Sequence, residues 1–145
     1  MALFARINYD DINSKQQEIF NFQKASGVLA DFGFATYRLT DDWNGADFLA
    51  VNFDGETLLR VQLKGRLTFA KKYIGKDLWV CFRYQGLVYL YPHDEFLNEA
   101  LQLNVIGNTD SWKGDGGTYS FPRLSQAMLS SLERYCLGSE LNPPK

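Results

Sequence analysis

Apolar residues near the N-terminus recur at helical spacing and predict a long first helix. Ser14, with Gln17 three residues later, forms a capping-box pattern that starts the helix, and Gly33 ends it. The apolar stripe consists of Ile19, Phe22, Ala25, Val28, Leu29 and Phe32. Glu18 lies on the N-terminal edge of this stripe, so it is either a partner of the helix dipole or a carboxylate aimed at a site.

Short segments rich in β-branched and aromatic residues follow and predict strands. They are residues 34–39, 46–53, 57–64, 78–84 and 87–91. Asp54-Gly55 and Gln85-Gly86 separate neighbouring strands, and such glycine-containing pairs are typical of tight hairpin turns. Strands adjacent in sequence that form hairpins indicate a mixed or antiparallel sheet.

Helical patterns return in the C-terminal half. Pro92 suits the first turn of a helix over residues 92–101, a glycine-rich loop covers residues 107–117, and a last helix is predicted over residues 122–137. The sequence therefore predicts one α/β (α+β) domain, residues 1–137, with a mixed sheet of about five strands flanked by helices. Residues 138–145 end in a proline-containing stretch and are expected to form a flexible tail.

The hairpin at Asp54-Gly55 predicts which residues share a face. A two-residue turn pairs Phe48 with Val61 and Ala50 with Leu59, and these apolar pairs form the core face. The other face pairs Val51 with Leu58, Leu49 with Arg60 and Asp47 with Gln62, with Lys64 following. Three polar side chains thus meet at one strand end, either as a structural Asp47–Lys64 salt bridge or as a site for an ion.

The stretch Asn44-Gly45-Ala46-Asp47-Phe48, then a hairpin, then Val61-Gln62-Leu63-Lys64 resembles the PD-(D/E)XK nuclease superfamily. That family includes type II restriction enzymes, Holliday junction resolvases and some homing endonucleases. In it an acid starts the second core strand, an acid-x-lysine pair lies on the third, and a preceding helix often supplies another glutamate. The resemblance covers roughly residues 14–91.

The resemblance implies a restriction-endonuclease-like fold and a Mg²⁺- or Mn²⁺-dependent site. Asp47, Gln62 and Glu18 would hold the metal, and Lys64 would act with them in phosphodiester hydrolysis. The substrate implied is DNA and the assembly a homodimer. Two positions depart from the family pattern: Ala46 stands where a proline is usual, and Gln62, which carries no charge, replaces an acid.

Charge modifies this interpretation. The net charge of −2 is unlike that of most nucleic-acid binders, which are basic. A local basic segment could still contact phosphates, or it could be a solvated connector. Its members besides Lys64 are Arg66, Lys71, Lys72 and Lys76.

Two other functions are open. The chain could keep the nuclease fold without catalysis and bind nucleic acid or a protein partner, or it could be a protein-interaction or immunity domain whose aromatic surface is its binding face. Trp43, Tyr73, Trp79 and Trp112 could stack on bases but are expected mostly in the core or at its rim.

The remaining features indicate an ordinary cytoplasmic protein. Cys81 and Cys136 are expected as free thiols, and His93 as a surface residue at a helix start and not as a catalytic group. No apolar run is long enough to span a bilayer, and no signal peptide is expected at the N-terminus.

Overall fold

The structure is a computed structural model that describes residues 1–106, 109–114 and 116–139. Its helices are α1 Ser14–Ala30, α2 His93–Gln102, α3 Asp110–Lys113 and α4 Gln126–Leu132. Its strands are β1 Phe34–Trp43, β2 Ala46–Asn52, β3 Leu58–Leu63, β4 Thr68–Ala70, β5 Leu78–Tyr84, β6 Leu87–Pro92, β7 Thr118–Ser120 and β8 Cys136–Ser139. Short 3₁₀ turns lie at Tyr9–Asp11, Lys71–Tyr73 and Glu133–Tyr135.

The main sheet has six strands in the order β1-β2-β3-β5-β6-β8. Every neighbouring pair is antiparallel except β3 and β5, which are parallel and joined by a crossover that contains β4. β4 pairs with β7 in a separate two-stranded sheet. The predicted mixed sheet flanked by helices is confirmed, with one strand more than expected.

Each face of the main sheet has its own core. On one face α1 buries Ala25, Val28 and Leu29 against strand residues that include Phe48 and Val61. On the other face, α2 and α4 contribute residues to a cluster with the alternate side chains of β5 and β6. Among its fully buried members are Phe69, Phe82, Tyr91, Phe96, Met128 and Leu132. Period-two alternation along each strand separates the two cores.

The start of α1 is correct, but its cap lies one residue earlier than predicted. Asn13, not Ser14, accepts the N–H of Gln16, and the Gln16 side chain accepts the N–H of Asn13 in return. The reciprocal bonds form there because Asn13 keeps the extended backbone that a cap needs. The two ends of the predicted apolar stripe are less buried than its middle, since Ile19 and Phe32 are each 42% exposed.

The prediction of a last helix over residues 122–137 is wrong. Helix α4 covers only Gln126–Leu132, with Ser125 as its cap, and the chain then enters β8. β8 pairs antiparallel with β6, whose edge would otherwise carry unpaired N–H and C=O groups, and this pairing outweighs the local helical spacing. β8 includes Gly138 and Ser139, the first two residues of the predicted tail; the rest of the tail lies outside the described residues.

The glycine-rich segment 107–117 holds the short helix α3, which places Trp112 in the core at 7% exposure. Cys81 and Cys136 are free thiols, and burial raises the pKa of Cys81 to about 12. Within the described chain no helix has both the length and the apolar character needed to cross a bilayer.

Candidate functional site

The β2–β3 hairpin has the predicted register. Phe48 pairs with Val61, Leu49 with Arg60, Ala50 with Leu59 and Val51 with Leu58. The turn itself is longer than the two residues predicted, because the Asn52 N–H donates to the Thr57 carbonyl and leaves four residues, 53–56, between them. A four-residue loop centred on the same point keeps the same pairing.

Asp54 explains why the turn is wider. One of its carboxylate oxygens accepts the backbone N–H groups of both Glu56 and Thr57, and the other accepts the Thr57 hydroxyl. These bonds hold the loop in an Asx-type turn, which competes with the tighter hairpin. They also lower the pKa of Asp54 below its usual value.

The polar residues Asp47, Gln62 and Lys64 lie at the end of the hairpin opposite this turn. Counting one pair beyond Phe48 and Val61 brings Asp47 opposite Gln62, where the backbone ladder stops. The Asp47 carboxylate closes the ladder, since its Oδ2 accepts the Leu63 N–H at 2.8 Å. Lys64 follows Gln62 on the same face because strand side chains alternate.

A large bulge in β1 opens the sheet edge beside Asp47. Arg38 pairs with Phe48, yet the next pair is Trp43 with Ala46, so residues 39–42 lie opposite Asp47 alone. β1 therefore carries three extra residues at this point. Bulges of this kind redirect side chains and are frequent beside active sites.

An Asn44-Gly45 turn closes the bulged hairpin. The φ angles of +52° and +89° are those of a type I′ turn, the turn that Asn-Gly favours. Glycine is favoured at position 45, because its φ angle is positive and a Cβ there would lie 2.7 Å from Leu78 Cδ1, which would then have to move. The sequence carried this turn signal, but β1 was predicted to stop at residue 39 and the bulge was missed.

The bulge forms one wall of an open cleft of about 430 Å³. Asp47, Asp42 and Glu18 lie on it, together with Lys15 and Arg38. Partial burial raises the pKa of the Asp47 carboxyl, and the charges of Asp42 and Glu18 raise it further. The Leu63 N–H and the Lys64 charge oppose this rise but do not cancel it.

Glu18 lines the same cleft as Asp47, but its carboxylate is already engaged. Arg38 Nη2 lies 2.7 Å from Glu18 Oε1, and Lys15 Nζ lies 3.9 Å from Oε2. The Arg38 guanidinium also lies over the Phe22 ring, which fixes its position. Glu18 could contact an ion in the cleft only by sharing or leaving Arg38.

Gln62 is the least satisfied polar group of the strand end. It is only 9% exposed, and its Oε1 is buried without a hydrogen-bond partner among the described residues. A buried acceptor without a partner costs about 1–3 kcal/mol, so such atoms in a folded protein need an explanation. Gln62 is not among the described residues that line the open cleft.

Lys64 lies over the ring of Tyr73, with Nζ 5.7 Å from the ring centroid. Lys72 Nζ lies 5.4 Å from the same centroid, so two ammonium groups converge on one ring. No ion pair within 4 Å joins Asp47 to Lys64 in the described structure, so the alternative of a structural salt bridge is not observed.

The sequence predicted Tyr73 mostly as a core or rim residue, whereas in the structure its ring also lies beside Lys64. It is 3% exposed, and this burial raises the pKa of its hydroxyl. The charge of Lys72 lowers that pKa, whereas the charges of Asp47 and Asp42 raise it further. Its phenol therefore lies within electrostatic reach of the carboxylates and stays protonated at neutral pH. No local sequence signal distinguishes this tyrosine from the other core aromatics.

The other residues predicted to contact phosphates have different surroundings in the structure. Lys71 donates to the Gly114 carbonyl at 3.2 Å and lies over the Trp112 ring, so it belongs to the fold. Arg66 and Lys76 are exposed, and Lys72 is the member that lies beside Lys64. The basic segment is therefore not one continuous patch.

His93 was predicted on the surface, and this is wrong. It starts α2 but is 0% exposed, because its ring reaches from the helix start into the core. Nε2 accepts the Ala70 N–H at 3.0 Å, so the ring proton sits on Nδ1 and is donated to Asp94 Oδ1 at 2.8 Å. Burial lowers the pKa of His93, and Asp94 partly opposes this.

The described residues contain no group of three or more histidine, cysteine, aspartate or glutamate side chains placed to hold a metal ion. The oxygen donors at the strand end are the Asp47 carboxylate and the Gln62 amide, with Glu18 across the cleft. This is a sparse donor set made entirely of hard oxygen ligands.

No protein-family model matches the chain, and no curated protein sequence matches it significantly. Among the solved structures that match, two show a distant similarity to this chain. The bacterial homing endonuclease I-Ssp6803I is 15% identical, with a TM-score of 0.47, over 85% of this chain and 94% of that one. The Holliday junction resolvase Hjc of Archaeoglobus fulgidus is 14% identical, with a TM-score of 0.33, over 55% of this chain and 74% of that one.

Proposed function

We propose that this protein is a metal-dependent DNA endonuclease or resolvase that hydrolyses phosphodiester bonds at the β2–β3 strand end. The observation that carries the proposal is the buried Oε1 of Gln62, which has no partner among the described residues. Continuing the β2–β3 register by one pair puts Gln62 on the same face as Asp47, with Lys64 two residues further on. A carboxylate, an orphaned amide oxygen and an ammonium group in this order suit a cation and a phosphate better than a structural contact.

The donor set fits Mg²⁺ or Mn²⁺. Mg²⁺ is held through one or two carboxylates and completes its shell with waters and substrate phosphates, so it does not need three protein acids. Asp47 would supply the charge and Gln62 the neutral oxygen, which would also satisfy the orphaned acceptor. Glu18 would be an outer ligand in competition with Arg38. A bound Mg²⁺ polarises a phosphoryl oxygen and makes a nearby water more acidic.

The chain's own residues position the phosphate. Lys64 brings a positive charge to the strand end and stabilises the charge that develops on the phosphoryl oxygens. Tyr73 supports the Lys64 and Lys72 ammonium groups with its ring face, which keeps both cations near the carboxylates. Asp47 is held in one rotamer by the Leu63 N–H, so its second oxygen has a defined direction.

DNA is the proposed substrate, and a homodimer is the proposed assembly, since cutting both strands commonly uses two copies of one site. Lys72, Arg66 and Lys76 would contact flanking phosphates, which positions a duplex without reading its sequence. Lys71 has a smaller part in this proposal than sequence alone implied, because it is held at Gly114 and Trp112.

The test combines metal binding with cleavage. Calorimetry with Mn²⁺ should show one site that is lost in Asp47→Ala, and Lys64→Ala should bind the ion but cut supercoiled plasmid at least about 100-fold more slowly. Asp31→Ala, an exposed acid at the end of α1, is the matched control. Absence of Mn²⁺ binding at millimolar concentration, or cleavage that survives in Asp47→Ala, would contradict the proposal.

A second candidate is a non-catalytic nuclease-fold domain that binds nucleic acid or a protein partner. The Glu18–Arg38 ion pair favours it, because this pair removes the carboxylate that would compensate for the uncharged Gln62. DNA binding in EDTA without Mn²⁺ binding or cleavage would support this candidate. A DNA affinity that is undetectable, or that does not respond to salt, would exclude phosphate contacts and leave a protein partner.

A further inference from the structure

The β1 bulge carries two neighbouring acids, and they differ in where they lie. Asp41 and Asp42 are both exposed, but Asp42 lies on the wall of the open cleft with Asp47, whereas Asp41 is not among the described residues that line it. Within the described part of the chain, the Asp42 carboxylate forms no ion pair within 4 Å. The bulge therefore brings to the cleft a carboxylate that has no role in the site so far.

The bulge is anchored on both sides of Asp42. Leu39, its first residue, packs against the buried cluster that contains Tyr73 and Leu78. Gly45, in the turn that follows, lies against the same two side chains, since a Cβ there would come within 2.7 Å of Leu78 and 3.5 Å of Tyr73. Both ends of the bulge thus rest on one core cluster, so packing and not a free loop determines where Asp42 lies.

The electrostatics of the cleft place Asp42 close to Asp47. Burial is the main cause of the raised pKa of Asp47, and among the neighbouring charges that of Asp42 raises it most, with smaller effects from Lys64 and Glu18. Burial also raises the pKa of the Tyr73 hydroxyl, and the charges of both aspartates raise it further. Two carboxylates held near each other repel unless a cation lies between them.

The other oxygen ligands of the strand end leave a negative charge to be supplied. Gln62 is neutral, and its buried Oε1 has no partner among the described residues. The Glu18 carboxylate is held by Arg38 at 2.7 Å. Of the described carboxylates that line the cleft, Asp42 is the one that can join Asp47 without breaking an ion pair.

We infer that Asp42 is a second carboxylate ligand of the divalent cation proposed at the β2–β3 strand end, and that it supplies the charge that Gln62 lacks. The inference rests on the proposed function for the presence of the ion. Asp47 comes from β2 and Asp42 from the bulge of β1, so the two carboxylates reach the ion from neighbouring strands where their pairing is interrupted. Two carboxylates and one amide oxygen suffice for Mg²⁺, which completes its shell with waters and substrate phosphates.

The test measures metal binding without DNA, so that it is independent of cleavage. The full chain is titrated with Mn²⁺ by calorimetry at about 0.15 M NaCl, where exposed charges that do not contact the ion are largely screened. Asp42→Asn should weaken Mn²⁺ binding at least about 10-fold, because one of two anionic ligands is lost. Adding Gln62→Glu to Asp42→Asn should return the affinity to within about 3-fold of the parent, because β3 then supplies a carboxylate.

Asp41→Asn is the matched control. It removes the same charge one residue away, on a side chain that does not line the described cleft, and should change the Mn²⁺ affinity less than about 2-fold. A thermal melt of each variant checks its folding. Asp42→Ser replaces Asp42→Asn if the asparagine variant does not fold.

A count of the waters on the ion separates a ligand from a nearby charge. Electron–nuclear double resonance of bound Mn²⁺ in isotope-labelled water gives this count at saturating Mn²⁺. Asp42→Ala should add about one water relative to the parent, because a water takes the place of the lost carboxylate oxygen. Asp41→Ala should leave the count unchanged.

The inference is overturned if the parent binds Mn²⁺ and Asp42→Asn binds it as tightly as Asp41→Asn does. It is also overturned if the affinity falls while the water count of Asp42→Ala equals that of the parent, since Asp42 would then act only as a nearby charge. In both of these results Asp47→Ala still loses the ion and the proposed function stands. A parent chain that binds no Mn²⁺ contradicts the proposed function and the inference together.

Discussion

Two polar clusters lie near the Tyr73 ring, and they differ in how well their groups are paired. His93 packs edge-on against Tyr73 with centroids 5.4 Å apart, and both of its nitrogens have partners. Asp94, its partner, also accepts the Gly75 N–H. At the strand end, in contrast, the buried Gln62 oxygen has no hydrogen-bond partner among the described residues, and the pKa of Asp47 is raised.

The difference supports a structural role for the first cluster and the function proposed above for the second. A fully paired buried network contributes specificity and rigidity, and the His93 network ties α2 to β4 and to the turn that follows Tyr73. A strand end that keeps an unsatisfied acceptor and a destabilised carboxylate carries a cost in stability, as functional sites often do. Four predictions test this contrast.

The largest effect is expected when the paired cluster is broken. His93→Ala leaves the buried Ala70 N–H without an acceptor and creates a cavity beside Phe69, so the free energy of unfolding should fall by about 2–4 kcal/mol. Urea denaturation measures the free energy of unfolding of the variant and the parent. Glu95→Ala, an exposed acid in the same helical turn, is the control. A loss no larger than the control's would show that the His93 network is not structural.

The next effect concerns the unpaired cluster. Gln62→Glu restores the charge that the site lacks, so Mn²⁺ affinity should rise about 10-fold, which corresponds to about 1.4 kcal/mol. Without metal the variant should melt at a lower temperature than the parent, because a buried carboxylate then lies beside Asp47. Gln23→Glu adds the same charge on the exposed side of α1. Equal Mn²⁺ affinity in the parent and Gln62→Glu would exclude Gln62 as a ligand.

The paired cluster should also make stability depend on pH. Burial lowers the pKa of His93 below the ordinary 6.5, so the unfolded chain binds a proton that the folded chain rejects. Its stabilising contribution is complete above pH 6.5 and is lost as pH falls from 6.5 to the lowered value. The slope should approach about 1.4 kcal/mol per pH unit. His93 is the only histidine in the chain, so a flat stability profile below pH 6.5 would show that its ring is not buried as a neutral group.

Sequence reasoning located the strand end because its signals are local. A period-two pattern and one turn were enough to pair Phe48 with Val61, and the register then placed Asp47, Gln62 and Lys64 on one face. The same reasoning missed features that depend on distant partners. β8 forms because β6 offers an open edge, and His93 is buried because β4 offers an N–H to it.

The site was predicted less completely than the fold for the same reason. The helical stripe placed Glu18 at the correct end of α1, but its ion pair with Arg38 depends on how α1 crosses β1. The three extra residues of β1 opposite Asp47 have no local sequence signature beyond Asn44-Gly45. Tyr73 belongs to the site because the crossover between β3 and β5 folds back over Lys64, which no spacing rule predicts.

The smallest expected effect concerns Asp47. Its contribution to the pH dependence of stability has the opposite sign to that of His93. The pKa of Asp47 is raised by burial and by the charges of Asp42 and Glu18, so the folded chain holds its proton more tightly than the unfolded chain. Ionised Asp47 therefore lowers stability at neutral pH, and this cost disappears as pH falls through the raised pKa. Asp47→Asn keeps an acceptor for the Leu63 N–H and removes the charge, so it should raise the free energy of unfolding at pH 7 by up to about 0.5 kcal/mol.

The measurement compares urea denaturation of Asp47→Asn and the parent at pH 7 and at pH 4, where the gain should shrink. Asp31→Asn, at an exposed position, should show no such dependence. The same Asp47→Asn protein should fail to bind Mn²⁺, so that a gain in stability accompanies a loss of function. A variant that is less stable at pH 7 would mean that the Asp47 charge supports the fold, and the contrast between the two clusters would then be wrong.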